Sequence, residues 1–184
     1  MSEENWVSKI QAHEAQHSSQ GTQDGVIDFI CENIEIHNNF CIEFGYDSTS
    51  WDVGMPNTKY LVHERKWDYL LMDGNCHNPE INLYQHFITS DNICELFEKY
   101  EVPNEPGFIS IDLDSTDIWV TDAILKNYRP SFFSVEFNPN FPIDAAMAFP
   151  NDKDEFWHFD RVMGSSLKSL SMMAGKNGYS LIYA

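Results

Sequence analysis

Residues 108–137 read FISIDLDSTDIWVTDAILKNYRPSFFSVEF. The apolar run from Phe108 to Asp114 predicts a buried strand. The apolar positions that follow, through Ile124 and Leu125, predict a helix. A second apolar run, Phe132 to Phe137, predicts another strand. Strand, helix, strand is the unit from which parallel sheets are wound. The rest of the chain extends the same alternation in both directions. Upstream, Val26, Ile27, Phe29, Ile30 and Ile34 repeat at helical spacing within 25–36, ahead of a strand at 40–45. Asn57 or Thr58 is expected to open a short helix through Leu61, followed by a strand at 69–72. A weaker strand is expected at 85–89, then a helix capped by Ser90 or Asp91 with Ile93, Leu96 and Phe97 on one face. Downstream, 138–163 looks irregular. Ser165 or Ser166 opens a helix that Gly175 or Gly178 closes, and 179–183 reads as a last strand. The expected architecture is one α/β domain over residues 1–184 with a doubly wound, mostly parallel sheet. Residues 1–18 read as a polar extension or helix.

Composition narrows the function. The 184 residues carry 29 acidic and 11 basic side chains, a formal charge of −18. Nucleic acids and anionic membrane surfaces both demand clustered cations, so neither is an expected partner. The opening segment has no charged-then-apolar signal pattern, and Cys31, Cys41, Cys76 and Cys94 show no paired spacing. A soluble, cytoplasmic protein with four reduced thiols is therefore expected. His13-Glu14-Ala15-Gln16-His17 fits HExxH, but Gln20 stands where an extended metalloprotease motif has glycine, and no zinc is expected there.

In a doubly wound sheet, ligands bind beyond the carboxyl ends of the strands. Acids collect at those expected ends: Glu43 and Asp47, Asp73, Asp112 and Asp114, and Glu136. Gly45 directly follows the first strand, where a tight turn lets backbone approach a ligand. Asp112, Asp114 and Glu136 could together hold Mg²⁺, or one could act as a general base. A carboxylate in an apolar strand needs a partner or a task, which singles out Glu136.

The succession Ser19-Gln20-Gly21-Thr22-Gln23-Asp24-Gly25, Ile42-Glu43-Phe44-Gly45-Tyr46-Asp47, Asn57-Thr58, Leu71-Met72-Asp73-Gly74, Ser110-Ile111-Asp112-Leu113-Asp114 and Val135-Glu136-Phe137-Asn138 resembles class I S-adenosylmethionine-dependent methyltransferases. The nearest set is the FkbM-type and related O-methyltransferase-like group. Arg129-Pro130, Asn140-Phe141-Pro142 and Gly164-Ser165-Ser166-Leu167 extend the likeness over roughly residues 18–183. The resemblance implies a Rossmann-like fold and methyl transfer from S-adenosylmethionine to a hydroxyl of a small molecule or sugar. It implies that Glu43, Gly45 and Asp47 belong to the first cofactor motif, and that Asp73 holds the ribose hydroxyls. Thr89 and Asn92 would lie near the adenine. Asp112 and Asp114 would stand beside the sulfonium and acceptor, with Glu136 and Asn138 lining the acceptor side. Such folds commonly end with a further antiparallel strand that this sequence does not supply, so the expectation is either a minimal variant or a sheet edge covered by another chain, such as a second copy.

Two other functions stay open. Ser48 and Ser115 stand where glycine is expected, which suits a methyltransferase-like binding module without turnover. The Asp112/Asp114/Glu136 cluster alone would suit a metal-dependent hydrolase.

Overall fold

The computed structural model describes residues 6–151 and 163–184. Five strands form one sheet: β1 (Phe40–Phe44), β2 (Asp68–Asp73), β3 (Leu83–Gln85), β4 (Phe108–Ile111) and β5 (Phe132–Val135). Their order is β3-β2-β1-β4-β5 and all four pairings are parallel. Helices α1 (Gln23–Asn33), α2 (Lys59–His63), α3 (Ile93–Lys99), α4 (Asp117–Asn127) and α5 (Leu167–Lys176) complete the domain.

Side-chain alternation along the strands assigns the helices to two layers. Ile42 and Phe44 of β1, with Ile109 and Ile111 of β4, pack against Ile93 and Phe97 of α3 and Val120 and Ile124 of α4. Cys41, Phe108 and Phe132 point the other way, onto Val26, Ile27 and Ile30 of α1 and Leu61 of α2. This is the α/β, doubly wound, Rossmann-like arrangement the alternation predicts. α5 packs on α4 through Leu170 and Met173 against Ile118 and Leu125.

Several expected boundaries move. The third strand lies at 83–85 and not at 85–89, because the β2 ladder ends where Asp73 pairs with Gln85. α3 begins after Asn92, not after Ser90 or Asp91. Strands β4 and β5 stop at Ile111 and Val135, so Asp112, Asp114 and Glu136 sit on loops. Residues 179–183 form no strand. Gly178 turns the chain with φ +82, and the Tyr179 hydroxyl then donates to the Pro130 carbonyl while its ring meets Phe133 edge-on. That pins the segment by side chains across the flank of β5, with no ladder to join. Of the two readings of the N-terminal segment, extension or helix, the helical one holds over Trp6–His13, a 3-10 helix that buries Ile10 in the α1 layer. Of the stretch expected to be irregular, 152–162 lies outside the described residues. The remainder holds turns and one bridge, Ala148 to Ser165.

All four cysteines are free. No helix among the described residues is long and apolar enough to cross a membrane.

Candidate functional site

The strand order reverses between β1 and β4, and a crevice opens beyond their carboxyl ends. Register builds its floor. Glu43 pairs with Ser110, and Ser110 with Ser134, so three polar side chains lie in one row across β1, β4 and β5. Asn57 Nδ2 donates to Ser110 Oγ at 3.0 Å, and Ser134 Oγ donates to Ser110 Oγ at 3.3 Å. The row below, Cys41, Phe108 and Phe132, is buried and apolar. One step past the row, the same register brings Asp112 alongside Glu136, since Ile111 pairs with Val135. The cleft above this floor amounts to about 1390 Å³ and continues along the β5 flank.

Gly45 sits at the switch point with φ +72, a region that favours glycine. A Cβ there would stand 2.3 Å from the Asp112 carbonyl oxygen. The turn after β1 thus presses directly on the turn after β4. Asp47, also at positive φ, donates its backbone N–H to Asp73 Oδ2 at 3.2 Å. Asp73 Oδ1 accepts from the N–H groups of Asn75 and Cys76, each at 2.7 Å. Asp73 therefore ties the β1 and β2 loops together. The Cys76 thiol also hydrogen-bonds this carboxylate, so its roughly four acceptor positions are taken up within the protein.

Glu43 turns into the protein. Its carboxylate accepts from Asn57 N at 2.9 Å, Thr58 N at 2.9 Å and the Thr58 hydroxyl, which fixes the start of α2. Thr58 spends its hydroxyl on this contact and makes no side-chain cap on the helix. Burial pushes the Glu43 carboxyl up to about 7, against the pull of those three donors. Because the folded value lies above the unfolded value of about 4.3, Glu43 stabilises the fold at low pH and that contribution is lost as pH rises through 7. Carboxyl ¹³C NMR of Glu43 is expected to show a midpoint near 7. A midpoint below 5 would mean that the donors outweigh the burial.

Three carboxylates at the cleft edge stand with ligand-capable oxygens within 4.8 Å of one another: Asp112, Asp117 and Glu136. The expected third member, Asp114, is not in this group. It adopts a left-handed φ of +62, which swings the chain away between Asp112 and α4, and the charge that acts on it is that of Asp47. Asp117 opens α4 and accepts the Leu113 N–H on Oδ1 at 2.7 Å. Sequence reasoning counts it with Asp112 and Asp114 as three acids within six residues that could hold a cation, with a place in the first turn of the helix as the alternative. What sets it apart from Asp114, complete burial, is not written in the sequence. Burial raises Asp117 and Glu136 to about 7, and the neighbouring acids push each of them the same way. Asp112 keeps part of its surface open, yet the cleft walls strip enough water from its carboxyl to raise it, and the Asp114 charge adds to this. Asp112 and Glu136 share a side-chain hydrogen bond.

The remaining expected site residues face elsewhere. Asn92 Oδ1 accepts the Thr89 N–H at 2.9 Å and its amide donates to the Phe87 carbonyl, so both Thr89 and Asn92 are committed to the turn before α3. Asn138 is 4 % exposed and donates to the Met163 carbonyl at 2.9 Å, joining the loop after β5 to the segment before α5. Neither Asp73, Thr89, Asn92 nor Asn138 lines the cleft, whereas Glu43, Gly45, Asp47, Asp112 and Glu136 do. Tyr46, Asn57, Ser110 and Ser134 also line it, although their sequence context does not mark them as site residues. The HExxH histidines part company: His13 stacks on Phe29 and His17 on Tyr60.

Neither protein-family models, curated proteins nor solved structures give a match to this chain.

Proposed function

We propose that this chain binds S-adenosylmethionine in the crevice between β1 and β4 and transfers its methyl group to a hydroxyl of a small molecule or sugar. The observation that carries this reading is the left-handed turn at Gly45, set at the topological switch point against the Asp112 carbonyl. Only a residue without Cβ fits there, and the bare backbone is free to approach a bound ligand closely. Asp73 lies behind the cleft wall and acts by position: through the Asp47 N–H it holds the β1 loop that carries Gly45 and Asp47 in place. The sulfonium donor supplies an already activated methyl group, so the chain's own work is placement and proton handling. Ser110, Ser134 and Asn57 offer hydroxyl and amide groups on the floor for orienting polar atoms. Asp112 or Glu136, both open to the cleft, would accept the acceptor's hydroxyl proton.

Titration calorimetry with S-adenosylmethionine and S-adenosylhomocysteine tests the reading. Saturable heats are expected with both. Asp73→Ala should weaken binding about tenfold, the equivalent of about 1.4 kcal/mol, while the variant still melts cooperatively. No heat with either compound would remove the reading. Binding to the wild-type chain that Asp73→Ala leaves unchanged would take Asp73 out of the site.

A further inference from the structure

We propose that Asp112, Asp117 and Glu136 form a site for one hard divalent cation of the Mg²⁺ or Mn²⁺ class. Two independent observations support it. The first is the convergence of three carboxylates from the β4 loop, the start of α4 and the β5 loop, with oxygens within 4.8 Å of one another. Octahedral coordination at about 2.1 Å sets ligand oxygens about 3 Å apart when adjacent and about 4 Å apart when opposite. Asp112 and Glu136 are exposed, so their side chains are the two free to close on a bound ion.

The second is Asp117 itself. It is 0 % exposed, and its Oδ2 has no hydrogen-bond partner among the described residues. A carboxylate oxygen removed from water and left without a donor is among the more expensive arrangements a fold can hold. No described lysine, arginine or histidine forms an ion pair with any of the three acids. Among the described residues, then, no basic side chain meets the charge of the three acids. Thiol and imidazole groups are absent from the cluster, and its composition of oxygens alone selects a hard ion over zinc or copper. Three protein ligands leave three octahedral positions to water or to oxygen atoms of another molecule. Asp112 and Glu136 are also the proton acceptors named for methyl transfer, but the cation site rests on the geometry of the cluster and does not need that reading.

The test uses the full chain, treated with EDTA and exchanged into metal-free buffer at physiological ionic strength. MnCl₂ is added and free Mn²⁺ is read by electron paramagnetic resonance. One saturable Mn²⁺ per chain, displaced by MgCl₂, is the expected result. Asp117→Asn keeps an oxygen for the Leu113 N–H and should weaken that binding about tenfold or more. Glu136→Gln, on the open side of the cleft, should do the same and decides the matter if Asp117→Asn fails to fold. Asp91→Asn, at an exposed acid before α3 whose charge acts on none of the three, should stay within about twofold of wild type, which separates this site from diffuse attraction to an acidic protein. The absence of saturable binding would overturn the proposal, and so would retained binding in Glu136→Gln. S-adenosylmethionine calorimetry repeated in EDTA keeps the two readings distinguishable, because either compound can bind without the other.

Discussion

Asp24→Ala is expected to destabilise the protein by about 3–5 kcal/mol. Asp24 lies in the first turn of α1 and is completely buried. Its Oδ2 accepts backbone N–H bonds from His17 at 2.8 Å, Ser18 at 2.5 Å and Ser19 at 2.8 Å. Removing the carboxylate would strand three donors in a segment that packs tightly on α1. A Cβ on neighbouring Gly25, for instance, would stand only 2.1 Å from the His13 carbonyl oxygen. Asp24→Asn keeps one acceptor oxygen and should cost about 1–2 kcal/mol. Denaturant melts of the two variants beside wild type provide the check. Equal losses for Ala and Asn would show that charge, and not the accepting oxygen, is what matters.

Gly45→Ala is expected to cost about 2–4 kcal/mol and, under the proposed function, to remove S-adenosylmethionine binding. Two penalties add at this position. Alanine would be held at φ +72, and its methyl would overlap the Asp112 carbonyl oxygen at 2.3 Å. The neighbour is main chain in the β4 turn, so relief requires β1 and β4 to separate at their carboxyl ends. Gly74→Ala is the matched control. It follows β2 in the same way, but its Cβ would meet nothing within 4 Å, and its stability should stay within about 0.5 kcal/mol of wild type. A Gly45→Ala protein as stable as Gly74→Ala would show that the turn yields freely.

The centres of β1, β2, β4 and β5 were legible because each is a short, mostly apolar run, broken in β1, β4 and β5 only by Glu43, Ser110 or Ser134. β3 was not, since the run expected at 85–89 meets it only at Gln85. The strand ends were harder to read. The runs at 108–114 and 132–137 continue past the last ladder pair because Leu113 and Phe137 are apolar for loop packing. The run at 179–183 has strand-like residues, but strand propensity becomes a strand only where a neighbour accepts the ladder. Asp112 and Glu136 could be picked out as strand-end acids. Asp117 could not be separated from Asp114, because that choice rests on one left-handed residue in the turn, and an aspartate in that conformation leaves no mark in the sequence. The carboxylate of Asp24 was equally hidden, since its partners are main-chain groups of residues that look like a polar extension.

The strand order also has a consequence in time. β1 lies at the centre of the sheet, and on one side it meets β2 in the next stretch of chain. Its other neighbour is β4, so Cys41 waits for Phe108 before its second ladder can form. Until then a strand destined for the core keeps an unsatisfied main-chain edge. Closing so long a connection is the slow part of folding for parallel sheets, and the waiting edge is where a nascent chain is most exposed to wrong partners. The β1–β4 seam that places Gly45 against Asp112 is thus a late seam to close, and the site exists only once the chain has committed to its fold.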